Sequence, residues 1–120
     1  MPVKDLLEKY FAAIHQGGWE SYVADDFVFT NANLDNVSHG KTAYLEGAGR
    51  FFKTTTSVEI REMLIEGERA AVLARYEVKS PRGTAGVCDV AEFLTVEGDK
   101  LTASTIIFDV KTLAEFMAQK

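Results

Sequence analysis

Six apolar residues, Val3, Leu6, Leu7, Tyr10, Phe11 and Ile14, recur at i, i+3, i+4, i+7, i+8 and i+11, the spacing that gathers them on one stripe of an α-helix. Gly17-Gly18 stops that helix, and His15 in its last turn faces the negative end of the helix dipole. Trp19 to Ala24 reads as a short second helix with Trp19, Tyr22 and Val23 on one side, closed by Asp25-Asp26, and Phe27 to Thr30 as a short strand. Asn31 to Gly40 is polar, with three Asn and an Asp. Those side chains bond their own backbone in turns, so an irregular loop is expected, either a plain connection or one that faces a ligand. Lys41 to Lys53 predicts a third helix with Tyr44, Leu45, Ala48, Phe51 and Phe52 on one side. Its Gly47 and Gly49 are expected where the backbone packs closely on a sheet.

From Ser57 to Asp109 the period changes. Four β-branched and aromatic runs are separated by Glu66-Gly67-Glu68, Ser80-Pro81-Arg82-Gly83 and Glu97-Gly98-Asp99, connections short enough only for antiparallel hairpins. Arg75-Tyr76-Glu77-Val78-Lys79 alternates wet and dry. Both parities are largely apolar in Val87 to Val96 and Leu101 to Val110, so this half of the sheet is expected to be covered on both faces, by helices on one and by a second copy of the chain on the other. Asp109 can cap a last helix that carries Leu113, Phe116 and Met117. The pattern is α+β: an antiparallel sheet covered by helices.

Composition narrows the class. A chain of 120 residues, 47% apolar and 26% charged, is one ordinary globular domain, 1–120, and no apolar run is long enough to cross a bilayer. The first residues lack a signal-peptide core, which predicts a cytoplasmic protein. A net charge of -5 without a basic cluster disfavours nucleic acid and membrane surfaces as partners. Cys88 is single and sits in a strand pattern, the setting of a buried inert thiol. His15 and His39 are not at ligand spacing and no phosphate loop or nucleophile elbow is present, so neither metal nor cofactor is expected.

Several motifs in this order carry a family resemblance: Lys9-Tyr10-Phe11-Ala12-Ala13-Ile14 before Gly17-Gly18-Trp19, Ala24-Asp25-Asp26 before a strand, Gly40-Lys41-Thr42-Ala43 opening a helix, and Glu92-Phe93 leading into Gly98-Asp99-Lys100-Leu101. The chain resembles the nuclear transport factor 2-like superfamily, in particular its ketosteroid-isomerase-like and SnoaL-like members. That resemblance implies a curved sheet wrapped round the N-terminal helices into a cone, a cystatin-like α+β barrel, with an apolar pocket and dimerisation through the sheet. It also implies a test of chemistry. Ketosteroid isomerases use a carboxylate base together with a tyrosine and a protonated Asp that donate to the substrate oxygen. Tyr10 matches the tyrosine. Asn31 stands where the base belongs, and an amide has no lone pair basic enough for that task. Ala91 stands where the second donor belongs.

Steroid isomerisation is therefore not expected, and the resemblance leaves three readings. One is acid/base isomerase, cyclase or dehydratase chemistry on an apolar carbonyl compound, with Tyr10 as oxyanion donor and Asp89, Asp35 or His39 as proton carrier. The second is a non-catalytic pocket for a small apolar molecule, anchored by Tyr10 and Asn31. The third is a dimeric association module. The implied pocket wall includes Trp19, Phe27, Phe51 and Met63, with Ala91 and Phe93 on the strand that holds Asp89. With Phe93 taken as interior, strand parity puts Asp89 inside. The alternative is a bulge after Gly86 that leaves Asp89 wet and paired with Arg75 or Lys79.

Overall fold

The computed structural model describes residues 2–33 and 36–118. Its first element is α1 (Val3–Gln16), which buries Leu6, Leu7, Tyr10, Phe11, Ala13 and Ile14, the stripe expected from spacing. Trp19–Tyr22 form a single 3₁₀ turn rather than a helix to Ala24, and from Val23 the chain is already extended as β1 (Val23–Asn31). The segment expected to be irregular holds a second strand, β2 (Asn36–His39), antiparallel to β1 with Asn31 opposite Asn36 and Val28 opposite His39. Local Asx bonding survives where the hairpin turns: the Asn33 N–H donates to Asn31 Oδ1 at 3.1 Å. Then come α2 (Lys41–Lys53), the meander β3 (Thr55–Glu66), β4 (Arg69–Lys79), β5 (Ala85–Glu97) and β6 (Lys100–Phe108), and α3 (Val110–Met117). Asp109 caps α3, its carboxylate accepting from Thr112 N–H at 3.0 Å, which holds that carboxyl below the usual range.

All six strands join one open sheet in the order β2-β1-β6-β5-β4-β3. Every pairing is antiparallel except β1 with β6, which run parallel, so the sheet is mixed where the hairpin signals had announced only antiparallel pairs. The inward face of β4 is Ala70, Val72, Ala74, Tyr76 and Val78, and that of β5 is Cys88, Val90, Glu92, Leu94 and Val96. These close on α1 to form the core. Burying a Leu or Phe side chain is worth roughly 1.5–3 kcal/mol, so the stripe of α1 is the main anchor of the helical layer.

Two glycine positions separate packing from space. At Gly86 an added Cβ would lie 2.7 Å from the ring of Phe116, so α3 docks into a notch that only glycine leaves open. At Gly47 a Cβ would meet nothing within 4 Å, and at Gly49 only the Trp19 ring at 4.0 Å. The close sheet packing expected of these two glycines is absent. No helix among the described residues is long and apolar enough to cross a membrane.

Candidate functional site

Between α2, the inner sheet face and the β1–β2 hairpin lies a cavity of about 450 Å³. Its walls are aromatic and aliphatic: Phe29 from β1, Phe51 and Phe52 from α2, Val90 from β5, Ile106 and Phe108 from β6. Asn31, Asn36 and Ser38 line it from the hairpin, and Glu46 and Arg50 from α2. Of the two carboxyls on this lining, Glu46 is exposed and Glu92 is buried. Glu92 is 5% exposed, and its Oε2 accepts from the Tyr76 hydroxyl at 2.6 Å. Burial pushes its pKa up to about 7, against the lowering influence of the Tyr76 hydrogen bond. Glu92 therefore changes protonation near neutrality.

The groups around it are hydroxyls. Tyr76 stands opposite Cys88, four residues along β5 from Glu92, and its ring is held edge-on by Phe51 at 5.3 Å and stacked on Phe52 at 6.3 Å. Tyr10, 1% exposed, reaches from α1 to share a hydrogen bond of 2.7 Å with Tyr44 of α2. Tyr44 lines the cavity and is fixed from behind by Phe27 at 4.4 Å and by the edge of Trp19 at 5.9 Å. Burial raises the pKa of Tyr10, Tyr44 and Tyr76, so all three remain neutral hydroxyls throughout the working range. Either oxygen of the Tyr10–Tyr44 pair can donate. When Tyr10 donates, the Tyr44 proton is released toward the cavity. When Tyr44 donates, it offers the cavity only lone pairs. Cys88 also lines the cavity, but burial pushes its thiol up to about 11 and it is no thiolate at neutral pH.

The sequence-derived candidates are scattered. Asn31 and Phe51 line the cavity; Tyr10, Trp19 and Phe27 lie one layer behind it, supporting Tyr44. Met63 is half-buried on β3, away from the cavity wall, and His39 is exposed on β2. Asp35 falls outside the described residues. The parity assigned to β5 is reversed. Phe93 is 46% exposed, and Ala91 and Asp89 share its outer face. Asp89 forms a bidentate pair with Arg75, at 2.8 and 3.0 Å, which holds its carboxyl below the usual range. No register shift between β4 and β5 is needed for this. The wet Asp89 follows from the plain hairpin pairing, and the interior acid is its strand neighbour Glu92.

Residues 7–104 match the family model of the SnoaL-like domain. The chain belongs to the SnoaL-like family. Among solved structures, TerC co-crystallised with polyporic acid is 21% identical over 99% of this chain and 100% of that one, with a TM-score of 0.79. A putative SnoaL-like polyketide cyclase from Jannaschia sp. CCS1 is 14% identical over 98% and 93%, TM-score 0.81. A ketosteroid-isomerase-like fold protein from Catenulispora acidiphila DSM 44928, in complex with trimethylamine, is 14% identical over 97% and 94%, TM-score 0.76. At these identities the likeness is one of fold. No curated protein matches the sequence significantly. In this SnoaL-like chain the cavity sits where the sheet is covered by α2 and the β1–β2 hairpin, and the one buried acid among the described residues comes from the middle of β5.

Proposed function

We propose that this SnoaL-like protein moves a proton on a small apolar carbonyl compound held in the cavity, with Glu92 as the proton carrier. The observation that supports this most is a carboxyl at about pKa 7 set among aromatic rings, since a general base works best when its pKa lies near the operating pH. In the proposed step the Glu92 carboxylate takes a proton from the carbon next to the carbonyl. The C–H electron pair becomes the C=C bond of an enolate, and the carbonyl electron pair moves onto oxygen. Tyr44, with its proton released by a bond from Tyr10, donates to that oxygen. Tyr76 donates to Glu92 and fixes its orientation. Return of the proton to carbon completes an isomerisation or exchange and leaves Glu92 as it began. Asn31 can hold a ligand oxygen or amide but take no carbon-bound proton.

The test is deuterium uptake next to the carbonyl of 2-tetralone and 1-indanone in heavy water, followed by proton NMR. Exchange by the wild type should exceed that by Glu92→Gln by about 10²-fold or more. Equal rates, with saturable shifts of cavity resonances, would leave a binding pocket without turnover. TerC, a fold neighbour co-crystallised with polyporic acid, makes that second reading concrete.

We also propose that the outer sheet face meets a second copy of the chain. In register across β4, β5 and β6, Leu73 lies beside Ala91 and Ala91 beside Ile107, with Phe93 opposite Ala71 and Thr105. Leu73, Phe93 and Ile107 are all exposed in the single chain.

A further inference from the structure

A glycine inside a helix weakens it, and two ordinary reasons keep one there: a left-handed backbone or a neighbour too close for a Cβ. Neither applies to Gly47. Its backbone continues α2, and an added Cβ would touch no atom within 4 Å. Gly86, with the Phe116 ring at 2.7 Å, shows what a packing glycine looks like in this protein. Gly47 is itself solvent-exposed and borders the open mouth of the cavity. It lines the wall with Ala43 one turn before it and Phe51 one turn after, across from the sheet residues that include Glu92. A side chain added at Gly47 would meet no protein atom and would stand in that mouth.

We propose that Gly47 sets the width of ligand that the cavity admits: the bare helix backbone there is a contact surface for the broad face of a ring system whose polar end reaches Glu92. This rests on reading the cavity as the ligand site, and it assigns the size limit to one residue of α2. Gly49 supplies the internal control. It shares the helix and the spare room, but lies outside the cavity wall, against Trp19.

The experiment compares wild type with Gly47→Ala, Gly47→Leu, Gly49→Ala and Glu92→Gln, using flavone as a wide probe and cyclopentanone as a narrow one. Binding is read from NMR chemical shifts and stability from melting temperature. Gly47→Ala should weaken flavone binding about tenfold and Gly47→Leu should abolish it, while both retain cyclopentanone. Both Ala variants should melt higher by roughly 3 °C, and Gly49→Ala should bind flavone as the wild type does. Flavone binding that Glu92→Gln weakens and Gly47→Leu leaves intact would overturn this inference alone. Binding that neither variant touches would place flavone elsewhere and overturn the reading of the cavity as well.

Discussion

Replacing Glu92 by Gln should change how stability depends on pH, with a sign opposite to that of most carboxylates. Folding raises the pKa of Glu92 from 4.5 to about 7, chiefly because burial disfavours the charged form. Between those values the native state holds a proton that the unfolded chain has released, so stability falls as pH rises. At ~1.4 kcal/mol per pKa unit, the shift corresponds to roughly 3 kcal/mol, fully present below pH 4.5 and lost once pH has passed through about 7. Gln keeps the size and can still accept from Tyr76, but does not titrate. Urea unfolding followed by Trp19 fluorescence from pH 4 to pH 9 would measure both proteins, and subtracting the Glu92→Gln curve removes the contributions of all other groups. The difference should fall by roughly 3 kcal/mol across that window. A flat difference, or one that rises with pH, would refute the claim that Glu92 is buried as a neutral acid.

Tyr76→Phe removes the hydrogen bond that favours charged Glu92; a bond to a charged group is worth ~1.5–3 kcal/mol, so the carbon-13 midpoint of Glu92 should rise by about one to two units. Asp89→Asn should leave deuterium exchange and the Glu92 midpoint unchanged, because the Arg75–Asp89 pair is on the outer face, and should shift the melting temperature by less than about 4 °C. The wild type should sediment as a dimer at micromolar concentration and Phe93→Glu as a monomer; a monomeric wild type would refute the proposed outer-face contact.

The local signals in the chain were enough for most of the architecture. Helical spacing from Val3 to Ile14, the three Gly-containing turns and the Asp109 cap are short-range devices, and each stands where expected. The site was harder to read because it depends on one bit of information, the parity of β5, and a one-residue slip moves every side chain to the other face. Anchoring that parity on Phe93 put Asp89 inside. A sounder anchor was present in the wet-dry alternation of Arg75 to Lys79: Tyr76 is dry, the hairpin sets it opposite Cys88, and two steps of two residues from Cys88 reach Glu92. Strand β2 escaped notice because its Asn-rich approach has turn chemistry, and the β1–β6 pairing joins segments too far apart for any local pattern to announce.

That parallel pairing governs when a site can exist. β6 lies between β1 and β5 in the sheet although it follows both in the chain and is the last of the six described strands. β1 and β2 come early in synthesis, and the meander from β3 to β5 can zip up by local contacts as it emerges. The two halves stay separate sheets, in which β1 and β5 are bare edges as well as β2 and β3, until Lys100–Phe108 has been added. Ile106 and Phe108, which close the cavity wall, arrive with that same strand. A nascent chain that ends short of β6 would thus carry Glu92 without the Ile106 and Phe108 wall, while showing two more hydrogen-bonding edges than the finished sheet. The final strand brings protection from aggregation and the binding site in a single event.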